Sequence, residues 1–387
     1  MDDIKRALVG EIDSLAPELF KISKYLFDNP ETAYEEYKAC AYLSEFLKAH
    51  DFEVEVGVGG VKTAFLARPK GKQQGKPTVA FLAEYDALPG VGHGCGHNLI
   101  ASASVGAALA LKQSLNQIPG SIAIVGTPAE EGGGGKIILA EAGVFKMMDV
   151  AMMFHPGRLN LPGEEMLGRV KLRVEFFGRA AHASVSPDKG INALDALVMA
   201  YNNINALRQN IRSEARIHGV ITNGGDAPNI IPAYTSGLFY VRAATREYLE
   251  ELLGRVKNCF AGGALASGAE YKMEIIPPSF DPIKRNPPLE GRVAENMRLL
   301  GIPIDQDDGR RGSSDIGNLS FYLPVIHLSL AIVDPETPGH SSVFAAATMS
   351  EKGQKAMLNA AKILALTAYD FLTNRELQEG VKKAFSG

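Results

Sequence analysis

A chain of 387 residues is longer than one hydrophobic core usually supports, so its length favours two domains. Forty Lys and Arg residues nearly balance forty-four Asp and Glu residues, and the net charge of −4 argues against nucleic acid or an anionic membrane as a partner. With 46% hydrophobic and 22% charged residues, the composition is that of a globular protein and excludes a disordered or fibrous one.

The cysteine content and the first residues bear on where the protein works. Three cysteines, Cys40, Cys95 and Cys259, are too few for a disulfide framework in a chain of this length. The first residues carry acids and no apolar leader, and no stretch has the length of a membrane span. We therefore expect a cytoplasmic protein that has neither a membrane nor a nucleic acid as partner.

The first part of the chain, residues 1–168, alternates helical and strand-like segments. Helical apolar spacing over residues 15–50, interrupted at Pro30, predicts two helices. Short apolar runs predict strands, and the segments between them predict helices: strands at 78–83, 121–125 and 150–154, helices at 98–115 and 136–142. Apolar strands that alternate with helices are typical of a mostly parallel sheet covered on both faces, so we expect an α/β domain.

The pattern changes near Gly168. Residues 169–282 predict the order strand, helix, two strands, helix, strand, which is the βαββαβ arrangement of an α+β, ferredoxin-like sheet. After residue 282, helix and strand alternate again, with a strand at 325–333 and a last helix at 350–374. We therefore expect a small domain at 169–282, inserted into a domain that is formed by residues 1–168 and 283–387.

Polar side chains of metal-binding types follow the predicted strands or lie in loops beside them. Because the carboxyl ends of parallel strands meet at one edge of a sheet, we expect these side chains to converge. They are Glu84, Asp86, Cys95, His97, Glu130, Glu131, His155 and His340. This set of thiolate, imidazole and carboxylate groups indicates a first-row metal, zinc or manganese. Two ions account for it better than one, and because a dinuclear site polarises a carbonyl and holds a hydroxide, it indicates hydrolysis.

The adjacent carboxylates Glu130 and Glu131 stand between a strand and four glycines. One of them can bind metal while the other takes a proton from the attacking water and passes it to the leaving nitrogen. The alternative is a solvated acidic pair at the start of the helix near Lys136, where the helix dipole favours a carboxylate. The two residues by themselves leave both interpretations open.

Five motifs in chain order resemble the aminoacylase/carboxypeptidase family of dinuclear metallohydrolases, and the resemblance runs nearly end to end. The motifs are EYDALPG from Glu84, GCGHNLI from Gly94, GTPAEEGGGG from Gly126, GRAAHAS from Gly178 and PNIIP from Pro228. Within the family they are similar to the branch that contains β-alanyl-lysine dipeptidase and aminobenzoyl-glutamate hydrolase. The resemblance implies an enzyme that hydrolyses an amide or peptide bond in a small carboxylate-bearing molecule, such as an N-acyl amino acid or an unusual dipeptide.

The resemblance also implies roles for individual residues. The ligands of two divalent ions would be Cys95, His97, Glu131, His155 and His340. The Cys95 thiolate would be shared by both ions, Glu130 would be the general base and acid, and Asp86 would orient a ligand. Glu84 stands where the family usually has a ligand histidine, and we do not count it as a ligand. His50, His93, His218 and His327 are interpreted as structural.

The inserted domain resembles the lid of the family, which also forms a homodimer. His182 then corresponds to a histidine that reaches into the partner's site and stabilises the oxyanion. Asn229 and Arg242 match positions that hold the substrate carboxylate, for which the bidentate fork of Arg is suited. Two alternatives stay open: a protein of this fold that binds a small molecule without turnover, and a hydrolase of a carbamoyl or aromatic amide.

Overall fold

The computed structural model describes residues 1–71 and 75–387, and the chain divides into two compact units. Unit 1 comprises Met1–Glu165, Lys284–Arg310 and Ser314–Gly387. Unit 2 comprises Met166–Ile283 together with Arg311–Ser313. Unit 2 therefore interrupts unit 1 along the chain.

Unit 1 contains a six-stranded sheet. Its strands are β1 (Phe52–Val56), β2 (Phe65–Pro69), β3 (Thr78–Ala83), β4 (Ser121–Gly126), β5 (Val150–Gly157) and β12 (Val325–Ala331). They lie in the order β1-β2-β4-β3-β5-β12. The last four in this order are parallel to one another. At one edge of the sheet, β2 is antiparallel to β4, and β1 is antiparallel to β2. The prediction of a mostly parallel sheet is confirmed, and the parallel strands are buried because helices cover both faces.

The helices of unit 1 surround this sheet. They are α1 (Asp3–Asp28), α2 (Tyr37–Ala49), α3 (His97–Ser114), α4 (Gly135–Glu141), α7 (Pro287–Leu299), α8 (Ile316–Leu319), α9 (Ser342–Thr348), α10 (Glu351–Thr373) and α11 (Arg375–Ser386). Apolar spacing predicts that helix α1 starts at Leu15, but the helix begins at Asp3. It begins earlier because the Asp2 side chain accepts a hydrogen bond from the Lys5 N–H and caps the first turn. In the described part of the chain, no helix has both the length and the apolar character that crossing a bilayer requires.

Unit 2 is built around a four-stranded antiparallel sheet. Its elements are β6 (Gly168–Phe177), β7 (Ala181–His182), α5 (Ala193–Leu207), β8 (Arg216–Asn223), β9 (Ile230–Ile231), β10 (Tyr234–Ala243), α6 (Arg246–Ser267) and β11 (Glu270–Phe280). The sheet order is β11-β6-β10-β8, and β7 pairs with β9 in a separate short ribbon. This order is that of the ferredoxin-like βαββαβ fold predicted for the insertion. The core lies between the sheet and the helices α5 and α6, around Phe176, Leu197 and Phe239.

Candidate metal centre

Four of the five predicted ligands gather around the thiol of the fifth, Cys95. Its Sγ lies 3.4 Å from Nε2 of His155 and 3.6 Å from Nε2 of His340. Cys95, His97 and His155 form one group whose potential ligand atoms lie within 4.8 Å of one another, Cys95, Glu131 and His340 form a second, and His97, Glu130 and Glu131 form a third. Because Cys95 belongs to the first two groups, its thiolate can be shared by two ions.

Two buried polar atoms in this cluster have no hydrogen-bond partner among the described residues: Nε2 of His97 and Oε1 of Glu131. An unpaired buried polar group costs about 1–3 kcal/mol, so native proteins rarely leave one without a partner. Nitrogen, oxygen and sulfur donors together are the set that zinc and other first-row metals bind. The orphaned atoms and the donor types therefore both fit divalent cations at this place.

The buried carboxylate of Asp86 holds two of these residues at once. Its Oδ1 lies 3.0 Å from Nδ1 of His97, and its Oδ2 accepts a hydrogen bond of 2.9 Å from the Glu131 N–H. Burial would lower the pKa of His97, but Asp86, Cys95 and Glu84 outweigh it and raise that pKa well above its usual value. Surroundings that favour a protonated imidazole also favour a metal cation bound to the neutral ring.

A glycine allows the loop that carries Cys95 to reach the end of β5. Gly96 has φ +81°, and a Cβ on it would lie 2.4 Å from Cγ of Pro156. Any larger residue would push the loop away from the strand, and with it Cys95 from His155. On the other side, the His340 N–H donates to the Gly94 carbonyl over 3.2 Å, and His340 itself has a positive φ of 55°. Such strained backbone is concentrated at functional sites.

The turn before Glu130 is held by a buried carboxylate that was not identified from the sequence. Ala129 has φ +61°, and its N–H donates to Oε1 of Glu36 over 2.9 Å. The same carboxylate accepts hydrogen bonds from the Tyr34 N–H and the Thr63 hydroxyl. Burial raises the pKa of Glu36 to about 7. Glu36 therefore stabilises a strained turn that precedes Glu130, the predicted general base, and Glu131, a predicted metal ligand.

Glu130 is only 8% exposed. Burial, together with the carboxylates of Glu84, Glu131 and Asp315, raises the pKa of Glu130 well above its usual value. Helix α4 begins at Gly135, and its first turn is capped by Asp315, whose Oδ2 accepts a hydrogen bond of 2.9 Å from the Lys136 N–H, rather than by Glu130 or Glu131. The interpretation as a solvated capping pair is excluded, and a carboxyl group with a raised pKa is suited to accept and return a proton.

Lys136 is fully buried and forms ion pairs with two buried carboxylates. Its Nζ lies 2.5 Å from Oε1 of Glu84 and 2.6 Å from Oδ1 of Asp315. The other oxygen of Glu84 lies 3.4 Å from Nε2 of His97. Burial alone would raise the pKa of Glu84, but Lys136 and the neighbouring imidazoles outweigh it, and the pKa is lowered. Glu84 therefore stands between the ligand cluster and a buried ammonium group.

His327 was interpreted as structural, and it packs against a predicted ligand. Its ring stacks on that of His155, with the centroids 5.3 Å apart, and its Nδ1 lies 3.2 Å from Oε2 of Glu164. Burial and the charge of His327 lower the pKa of His155 to about 4. His155 therefore stays neutral at physiological pH, which is the form of imidazole that binds metal.

The predicted residues of unit 2 fall at two separate places. The β7–β9 ribbon sets His182 opposite Ile230, and the Ala183 N–H donates to the carbonyl of Asn229. This ribbon adjoins the start of β10, whereas Arg242 lies near its end and donates to Oγ of Ser313 over 2.8 Å. At about 3.3 Å per residue, the strand from Tyr234 to Arg242 spans roughly 26 Å. One chain therefore brings His182 and Asn229 together but keeps Arg242 apart from them.

The comparisons with known proteins agree with this architecture. Residues 165–266 match the family model of the peptidase dimerisation domain of M20 peptidases. The chain is 38% identical to Xaa-Arg dipeptidase of Mus musculus, in an alignment that covers 99% of this chain and 92% of that protein. The chain belongs to the M20 family of metallopeptidases. It is therefore a metal-dependent hydrolase of amide or peptide bonds, and the predicted family and class of enzyme are confirmed.

Two further proteins are similar to this M20 metallopeptidase. A p-aminobenzoyl-glutamate hydrolase chain of Escherichia coli (strain K12) is 29% identical, with 98% of this chain and 94% of that protein covered. The crystal structure of a dinuclear metal-binding M20 peptidase from Bacillus subtilis superposes with a TM-score of 0.74 at 19% identity, covering 92% of this chain and 99% of that one. The similarity to the Bacillus subtilis structure shows a shared fold.

Three parts of the site, Lys136, Asp315 and Glu36, were not identified from the sequence. Lys136 follows a run of glycines and Asp315 ends a polar turn, so each resembles an ordinary surface residue in its local sequence. A signal was nevertheless present, because Lys136 is a lone cation close in sequence to Glu130 and Glu131. A buried carboxylate pair next to metal ligands requires positive charge nearby.

Proposed function

We propose that this M20 metallopeptidase hydrolyses small carboxylate-bearing substrates, and dipeptides with a carboxyl-terminal Arg foremost. The observation that carries the proposal is the cluster around Cys95, beside which a buried Glu130 stands with a raised pKa. The name of the mouse relative, Xaa-Arg dipeptidase, supports the choice of substrate.

The metal ligands in this proposal are the five residues of the cluster: Cys95, His97, Glu131, His155 and His340. Two divalent ions bound there would act as Lewis acids that polarise the scissile carbonyl. The thiolate and the three imidazoles favour zinc over manganese, since soft and nitrogen donors select zinc. Asp86 would fix the direction of His97 and Glu131.

Glu130 would move the proton in this reaction. Its carboxylate would take a proton from the attacking water and deliver the proton to the leaving nitrogen, so that the product leaves as a neutral amine. The strained turn at Ala129, held by Glu36, sets the position of Glu130 relative to the ligand cluster. Since Glu36 is not in any ligand group, it acts as a positioning residue.

We propose further that the enzyme is a homodimer in which each site uses residues of both subunits. His182 and Asn229 would come from one subunit and Arg242 from the other, because the length of β10 separates them within one chain. Strand β8 lies at the edge of the unit 2 sheet, and its Val220 and Ile221 are exposed. An unpaired strand edge with exposed apolar residues is a suitable surface for a second copy of the chain.

Mixed dimers test the shared site. His182→Ala should lower kcat by about 10²–10³-fold as a homodimer, because one donor to the oxyanion is lost. A heterodimer of a His182→Ala chain and a Glu130→Gln chain has one intact site and should recover about half of the wild-type activity. Heterodimers purified with two different tags would be assayed against both parent homodimers. Heterodimers as inactive as both parents would contradict a shared site.

A substrate panel tests the proposed reaction itself. The enzyme would be loaded with zinc, manganese or cobalt and incubated with Xaa-Arg dipeptides, β-alanyl dipeptides, N-acyl amino acids and aromatic amides. We expect release of the free carboxyl-terminal amino acid, fastest from the dipeptides. Release from the aromatic amides alone would favour the non-peptide alternative, and no release from any compound would favour a protein that binds without turnover.

We also propose that the protein works in the cytoplasm. Cys40, Cys95 and Cys259 are all free. Cys95 must remain a thiolate to bind metal, and a reducing compartment preserves it.

A further inference from the structure

Unit 2 contains a cavity of about 380 Å³ beside Asn229. The segments 224–228 and 230–232, on either side of Asn229, line it, together with the start of α5. Nothing in the reaction proposed above uses this cavity. A substrate residue whose carboxylate is held by Asn229 would nevertheless have its own side chain within reach of it.

The lining of this open cavity combines apolar side chains with the amide of Asn192 and a single charged group, the exposed Asp226. Leu194, Pro228, Ile230 and Pro232 supply hydrocarbon surface. Of the described residues that line the cavity, only Asp226 is ionisable, and the structure describes no hydrogen bond or ion pair for its carboxylate. Apolar surface beside an exposed carboxylate matches a side chain with an aliphatic stem and a cationic tip.

The conformation of the loop that carries Asp226 depends on a glycine. Gly225 has φ +100°, and its N–H donates to Oδ1 of Asn223 over 2.9 Å. A Cβ on Gly225 would lie 2.6 Å from Cγ of Pro232, so the two walls of the cavity approach each other closely because Gly225 has no side chain. The position of Asp226 at the cavity is therefore built into the local backbone.

We propose that this cavity is the subsite for the cationic side chain of the carboxyl-terminal residue, and that Asp226 determines specificity by binding its guanidinium or ammonium group. The inference rests on the proposed function, in which Asn229 holds the carboxylate of the same residue. The carboxylate of Asp226 would accept charge-assisted hydrogen bonds, and the apolar walls would cover the methylene groups.

The test compares dipeptides that differ only in the charge of the last side chain. The zinc-loaded dimer would be assayed with alanyl-arginine and alanyl-citrulline, which are nearly isosteric, and with alanyl-lysine and alanyl-norleucine. We expect kcat/KM to favour each charged member by about tenfold. Asp226→Asn should remove this preference by raising KM for the charged substrates, with kcat and the neutral substrates nearly unchanged. Asp226→Glu should keep the preference, and Glu250→Gln, at an exposed site on α6, serves as the control.

The outcomes separate the two proposals. If the wild-type enzyme hydrolyses the neutral dipeptides as fast as the charged ones, the subsite and the preference for a carboxyl-terminal Arg are wrong, while the proposed dipeptide hydrolysis stands. If Asp226→Asn slows all four substrates equally, Asp226 has a structural role and the inference is overturned. If no dipeptide is hydrolysed at all, the proposed function itself fails, and the inference fails with it.

Discussion

Glu130→Gln is expected to lower kcat for dipeptide hydrolysis by about 10²–10⁴-fold while leaving both metal ions bound. The amide has nearly the shape of the carboxyl group, so the strained turn at Ala129 and its hydrogen bond to Glu36 should persist. What is lost is the ability to accept a proton from water and return it to the leaving nitrogen. Steady-state kinetics and the metal content per chain, measured on the same sample, would check both halves of this expectation.

Glu131→Gln is the matched control, because it changes the neighbouring carboxylate in the same way. Glu131 belongs to the ligand cluster, and its Oε1 lies 3.6 Å from Nε2 of His340. This variant should lose metal as well as turnover, whereas Glu130→Gln should lose only turnover. Near-normal kcat in Glu130→Gln, or an equal loss of metal in both variants, would remove Glu130 from the proposed role.

Lys136→Met is expected to reduce the free energy of unfolding by about 3–5 kcal/mol. The substitution removes a fully buried ammonium group and leaves the carboxylates of Glu84 and Asp315 buried without their partner. The Met side chain has nearly the length of Lys and keeps the packing of the site, so the loss of stability measures the effect of removing the charge. Denaturant unfolding at constant metal concentration would measure it, with Lys146→Met, at an exposed site, expected within about 0.5 kcal/mol of wild type.

A compensating variant distinguishes charge from packing at the same place. The triple variant combines Lys136→Met with Glu84→Gln and Asp315→Asn, so none of these three buried side chains carries a charge. This variant should recover a substantial part of the lost stability, since replacing a whole buried ion network is far less harmful than removing one member. If the single variant is as stable as the wild type, the ion pairs of Lys136 contribute little and the expectation is wrong.

The sequence predicted the fold where the local pattern was strong. The strands at 78–83 and 121–126 are continuous apolar runs, and their ends were predicted to within one residue. Strands β1 and β2 were not predicted, although Phe52–Val56 alternates apolar and acidic residues as a half-exposed strand does. The early start of α1 depends on a single capping residue, Asp2, which apolar spacing does not reveal.

The proximity of the candidate donor atoms could be predicted because thiol, imidazole and carboxylate groups at the ends of parallel strands are seldom there by chance. Their supports could not be predicted. The contact of Lys136 with Glu84 and Asp315 joins three positions that are far apart in the sequence, and no local pattern links them. The separation of Asn229 from Arg242 follows from the length of β10 and from the position of the β7–β9 ribbon at its start.

The carboxylate of Asp86 has a consequence for how two ions would influence each other. Its two oxygens engage one residue each, the ring of His97 and the backbone of Glu131, and the carboxylate is a rigid planar group. If either His97 or Glu131 is displaced, the Asp86 carboxylate rotates with it, and its contact to the other residue changes. Ions bound to His97 and to Glu131 would therefore be coupled through the Asp86 carboxylate as well as through the Cys95 thiolate, so the first ion would preorganise the pocket for the second.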